Sequence, residues 1–228
     1  MNGPADPLAS VRADVVRLGR RVVAARLVVA AGGNVAVRVP GADAVVVTPT
    51  AWPLDELAAD ELPVVSLTTG AVIDDGSSSA RARRPTTELA LHLAALQSRP
   101  DVNAVLHLHP PVTTLLHAVG VPIRALTTDH ALALARTAEL PYLDPGSDEL
   151  ADAVGRAVAD ADVVLLRHHG CVVVADSADV AFGRAANVEA AAEATLRAHQ
   201  LGDHDTVCPP RYLEHLAAQE ARGIRYGR

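Results

Sequence analysis

The stretch Val102-Asn103-Ala104-Val105-Leu106-His107-Leu108-His109-Pro110-Pro111 decides how this chain is read. Val102 to Leu106 is a short apolar run of the kind that forms a buried strand. Pro110-Pro111 closes it and suits the first turn of a helix. Side chains on a strand alternate faces, so residues two apart point the same way. His107 and His109 therefore converge on one side of a strand end, an arrangement that suits a divalent metal held by imidazole nitrogens. A lone histidine on an apolar face is ordinarily structural. A pair at strand spacing is harder to explain that way.

A second apolar run, Asp162 to Leu166, delivers His168-His169-Gly170 at its end. On extended backbone these two histidines face opposite sides, so only one can join the first pair; Gly170 permits a turn there. The residues alone leave open which histidine it is. One more imidazole makes three, which leaves a dication with an open coordination position, a catalytic rather than a structural arrangement.

Upstream, Thr86-Thr87-Glu88 opens a helix expected over residues 87–97. Glu88 in a first turn has a plain explanation, because the helix dipole favours an acid there by about 0.3–1 kcal/mol. It equally suits a general base held beside a metal. His92 lies one turn on and reads as a neighbour rather than a ligand. Thr86-Thr87, Gly33-Asn34 and Thr48-Pro49-Thr50 offer hydroxyls, an amide and backbone N–H groups of the kind that bind phosphate. Caps and turns account for each of them singly.

Composition narrows the chemistry. None of the 20 basic residues is lysine. The chain therefore has no side-chain Schiff base, no internal aldimine for pyridoxal phosphate and no phosphate-loop lysine. Arginine stays protonated and cannot substitute, so carbanion chemistry beside a carbonyl needs a metal as electron sink. A net charge of −7 and 2% aromatic residues oppose nucleic-acid binding. Arg81 to Arg84 reads as a short solvated loop. Cys171 and Cys208 have no metal or redox spacing, and Cys171 reads as a buried thiol. No signal peptide or membrane span is evident, so the chain reads as cytoplasmic.

Half the 228 residues are apolar, enough for one domain with a full core. Helical spacing over 7–30 gives one or two opening helices, and Val35, Val37 and Val39 alternate as a strand. A second strand spans 44–47, a short helix 54–59, and a hairpin 64–67 with 71–74. Residues 121–145 are ambiguous. Helices follow over 147–159, 177–200 and 211–222, with strands at 163–166 and 171–175. The pattern is α/β in a single domain over 1–228.

In several segments the chain resembles the class II aldolase/adducin family: Gly33-Asn34-Val35-Ala36-Val37-Arg38, Val47-Thr48-Pro49-Thr50, Pro85-Thr86-Thr87-Glu88-Leu89-Ala90-Leu91-His92, Arg99 through Pro110, and Leu165-Leu166-Arg167-His168-His169-Gly170. They run in family order over most of the chain. The resemblance implies an αβα sandwich around a mixed, largely antiparallel sheet. It implies Zn2+, or another divalent metal, on His107, His109 and His169, the last because the family's ligand directly precedes the glycine. It implies Glu88 as catalytic acid/base and a homotetramer with active sites at subunit interfaces. The expected reaction is aldol cleavage or formation of a phosphorylated sugar through a metal-stabilised ene-diolate, with phosphate against Asn34, Thr50, Thr86 and Thr87. Alternatives are a dehydratase or decarboxylase of the family, an epimerase, a non-haem iron oxygenase or an adducin-like module.

Departures from the family pattern are specific. Thr50-Ala51 replaces Ser-Gly, and Thr86-Thr87 replaces Ser-Ser, which adds methyl groups to a site built on close backbone approach. Leu132 after His130-Ala131, where the epimerases carry aspartate, counts against epimerisation. Tyr142, Tyr212 and Tyr226 are candidates for a tyrosine proton donor.

Overall fold

A computed structural model describes residues 6–76 and 83–223. Tyr226 and part of the Arg81–Arg84 run lie outside these residues. Helix α1 (Pro7–Ala24) opens the chain, with Pro7 in its first turn and the Asp6 carboxylate accepting from Leu8 N. Its apolar face (Val11, Val15, Leu18, Val22) is buried. Four strands follow: β1 (Asn34–Arg38), β2 (Val45–Val47), β3 (Val64–Val65) and β4 (Val72–Asp74). Then come α2 (Leu89–Ser98), β5 (Ala104–Leu108), α3 (Pro111–Ala118), α4 (Thr128–Leu134) and β6 (Thr137–Leu140). The chain continues through α5 (Asp148–Ala157), β7 (Val163–Leu166), β8 (Gly170–Ala175), α6 (Ala178–Gln200) and α7 (Pro210–Ala221).

The eight strands form one sheet in the order β4-β3-β2-β1-β5-β8-β7-β6. All neighbours are antiparallel except β6 and β7, which run parallel. Strand alternation then sorts the side chains into two cores. Ala104, Leu106 and Leu108 of β5, with Val35 and Val37 of β1, pack against α1 and α6. Val105 of β5 and Ala36 of β1 pack on the other face against α2 and α5. The αβα sandwich around a mixed, mostly antiparallel sheet is thus present. Its histidine-bearing strand lies centrally, between β1 and β8.

Some local expectations change. The helix expected over 54–59 is two 3₁₀ turns, Leu54–Glu56 and Ala59–Glu61. The ambiguous region 121–145 holds α4 and the edge strand β6. Arg83, expected in solvent, stacks its guanidinium 3.7 Å from the centre of the Trp52 ring and pairs with Glu61 at 2.9 Å. Cys171 and Cys208 are free, buried thiols. Among the described residues no helix is long and apolar enough to cross a membrane.

Candidate active site

The site forms where β1, β5 and the β7–β8 hairpin end beside the start of α2. Asn34 and His107 are directly opposite in the β1–β5 register, and Leu108 is opposite Cys171 between β5 and β8. By alternation His107 leaves the sheet toward α2. His109, two residues on, returns to the same side, and the two Nε2 atoms are 3.0 Å apart. The β7–β8 turn settles which later histidine joins them. His168 takes a left-handed conformation (φ 57°) and is exposed, while His169 N donates to Leu166 O and its ring turns inward. One nitrogen from each of His107, His109 and His169 lies within 4.8 Å of the others.

Gly170 is not the residue that turns the chain; it begins β8. Its lack of a side chain matters for another reason. A Cβ there would lie 2.3 Å from Leu108 O and 2.5 Å from His109 Cδ2. Glycine lets the strand that follows His169 close against the His109 ring.

Glu88 lies just before α2 rather than in its first turn, with non-helical backbone (φ −101°, ψ 25°) and no side-chain capping bond. The side chain therefore does not cap the helix. Its carboxylate faces the imidazoles instead, with Oε2 3.1 Å from His107 Nε2 and Oε1 3.5 Å from His169 Nε2. Oε1 is buried and accepts no hydrogen bond. Burial works to raise this carboxyl. Where His107 is protonated, its hydrogen bond and charge outweigh this, with the Asn34 amide and a positive charge at His169 adding, and take the group down to about 2.

The placement of protons decides whether these groups can hold an ion. His107 Nδ1 lies 3.1 Å from Cys171 O, a carbonyl that can only accept, so Nδ1 carries the proton. The neutral ring then presents a bare Nε2 to Glu88 Oε2, acceptor against acceptor. A positive charge relieves this: a second proton on a fully buried ring, or a metal ion among the imidazoles. Burial first, and mutual repulsion second, push His109 down to about 4 and lower His169, so both stay neutral at pH 7. Neutral imidazoles with a fixed tautomer are what a metal requires. The donor set fits a divalent ion.

The expected phosphate residues divide. Segments 48–50 and 84–86 pair side by side, with Thr50 N donating to Arg84 O and Thr86 N to Thr48 O. Those two amides are engaged within the protein. Thr86 is buried, with its hydroxyl accepting from Glu88 N, whereas Thr87 is exposed and Thr50 half-buried. The Asn34 side chain is turned inward, with Nδ2 on Glu88 Oε2 and Oδ1 on His92. Ala51 has φ 53°, a conformation that favours glycine. Tyr142 is exposed and donates to Asp144. Tyr212 packs beside Ala131, Cys208 and Leu216.

The sequence reading passed over Glu189. This acid on α6 is buried and accepts from Val112 N, Thr113 N and the Thr113 hydroxyl, which fixes the start of α3 just beyond His109. The signal for it was an acid within the buried stripe Ala181, Ala185, Val188, Ala192.

Comparisons with known proteins find similar sequences and a similar fold. Residues 13–196 match the family model described as the class II aldolase and adducin N-terminal domain. A 5-deoxy-D-ribulose 1-phosphate aldolase of Bacillus thuringiensis is 26% identical over 206 residues, 90% of this chain and 93% of the relative. An L-fuculose phosphate aldolase of Methanocaldococcus jannaschii is 30% identical over 181 residues, 79% of this chain and 93% of the relative. The crystal structure of YgbL from Klebsiella pneumoniae superposes with a TM-score of 0.80 at 25% identity, covering 92% of this chain and 98% of that one.

Proposed function

This chain belongs to the class II aldolase and adducin family, and from that premise we propose a zinc-dependent cleavage of a ketose 1-phosphate to dihydroxyacetone phosphate and an aldehyde, or its reverse. The family and the relatives named as sugar-phosphate aldolases make the chain an aldolase-type lyase. The metal, the substrate and the direction of reaction are our reading. The observation that carries it is the convergence of three imidazoles on one carboxylate: His107 Nε2 lies 3.0 Å from His109 Nε2 and 3.1 Å from Glu88 Oε2, and His169 Nε2 lies 3.5 Å from Glu88 Oε1.

His107, His109 and His169 would hold Zn2+, which when bound supplies a Lewis acid for the negative charge that carbon–carbon cleavage leaves on the ketone fragment. This chain has no lysine to take that charge as an iminium. Glu88 delivers a proton to carbon in cleavage and removes it in condensation. Its Oε2 is held by Asn34, which leaves the unpartnered Oε1 as the oxygen that exchanges the proton. The Thr50, Thr86 and Thr87 hydroxyls lie against the phosphate, and the assembly is a homotetramer with sites at its interfaces.

The test is solvent deuterium exchange into dihydroxyacetone phosphate. Metal-loaded wild type should exchange, and Glu88→Gln should be slower by about 10²–10⁴-fold. No exchange by folded, metal-loaded wild type would move the reading to another substrate. His107→Ala and His169→Ala should each fold and lose metal; full occupancy in either removes that ligand.

A further inference from the structure

His92, on α2, is fully buried and stands outside the three-imidazole group. Its Nε2 lies 2.5 Å from Asn34 Oδ1, and Asn34 Nδ2 donates to Glu88 Oε2 at 2.9 Å. Only one arrangement of protons satisfies this chain. An ionised carboxylate can only accept, so the amide nitrogen must face Glu88 and the amide oxygen must face His92. That oxygen also only accepts, so His92 carries its proton on Nε2. Nδ1 is then bare, and it is buried without a partner. Burial pushes the ring down to about 3, so His92 is neutral at working pH.

We propose that His92 is a positioning residue for Glu88, acting through Asn34. By donating to Oδ1 it fixes the side of the Asn34 amide that faces the carboxylate, so an N–H always meets Oε2. The reverse orientation would set a carbonyl against the carboxylate. With Oε2 fixed, the carboxyl plane is fixed too, and Oε1 points toward His169 with no hydrogen bond to hold it back. The Asn34 side-chain amide is thereby committed to the acid/base. The inference rests on the proposed role of Glu88.

Two measurements test it. First, 15N NMR of ring nitrogens in wild type, with His92 assigned by the signal lost in His92→Gln, should show a neutral ring protonated on Nε2. A ring protonated on Nδ1, or on both nitrogens, overturns the proposal whatever the reaction is. Second, His92→Phe keeps an aromatic ring without the donor, and His92→Gln keeps a donor. His92→Phe should lose about 10–100-fold in the kcat of exchange, as losses of supporting hydrogen bonds behind a site do. KM and metal content should stay unchanged, and His92→Gln should recover most of the loss. Equal rates in Phe and Gln variants, or a loss confined to KM, overturns it. If wild type shows no exchange, the proposed reaction fails, and the ring signature alone decides the proton arrangement.

Discussion

At Gly170 a single hydrogen in place of a methyl group decides whether the site can close. A Cβ there meets the Leu108 carbonyl and the His109 ring well inside contact distance, and neither is the free end of a flexible side chain. Gly170→Ala must push β8 away from β5 or turn the His109 ring aside. We expect a loss of about 1–3 kcal/mol, the usual range for overpacking, and weaker metal binding, read by denaturant melts and metal titration. Wild-type stability and affinity would refute the steric account. Gly33 plays a related part on the β1 side, where its φ of 76° and the His107 carbonyl, 2.9 Å from any added Cβ, both demand glycine. Ala51 shows the opposite choice, a methyl-bearing residue in a left-handed conformation.

At the scale of elements, α3 depends on a carboxylate from another helix. Glu189 of α6 accepts from Val112 N, Thr113 N and the Thr113 hydroxyl, and a negative charge suits a helix N-terminus. Glu189→Ala leaves those donors buried and unpaired, so a loss of about 1–3 kcal/mol is expected. Glu189→Gln, which keeps one accepting oxygen, should lose less; equal losses in urea unfolding would contradict the capping role. Elements were legible in the sequence where their period was strong and local. The alternation of Val35, Val37 and Val39 marks β1, and the helical spacing from Val11 to Val22 marks α1. Strand β6 was not legible, because Thr137–Leu140 is a four-residue edge strand whose apolar face is only Ala138 and Leu140, both half-buried. The approach of His107 to His109 follows from period two alone. The choice of His169 over His168 depends on a left-handed residue in a hairpin, and the inward turn of Asn34 on pairing with a strand some seventy residues away. Neither is visible in local pattern.

For the whole molecule, acid and chelation should act on the same group of rings. His92, His109 and His169 are all depressed in the metal-free fold, burial being the first cause in each. Between their ordinary value of 6.5 and about 4, the unfolded chain therefore binds more protons than the folded one. Stability is complete above pH 6.5 and falls as the pH drops through that window. Bound metal at a hundred times its Kd adds about 2.7 kcal/mol, an advantage that fades as the imidazoles protonate. Melting curves with and without chelator from pH 8 to 4 should diverge at high pH and merge near pH 4. Identical curves at pH 7.5 would argue against a resident ion. The spacing of the ligands also sets an order of events during synthesis. Two of the three imidazoles leave the ribosome about sixty residues ahead of the third, and the third is placed only when β8 inserts between β5 and β7. If these rings hold the proposed ion, a growing chain cannot grip it tightly at any intermediate length, and metal capture becomes a late checkpoint that reports a finished sheet.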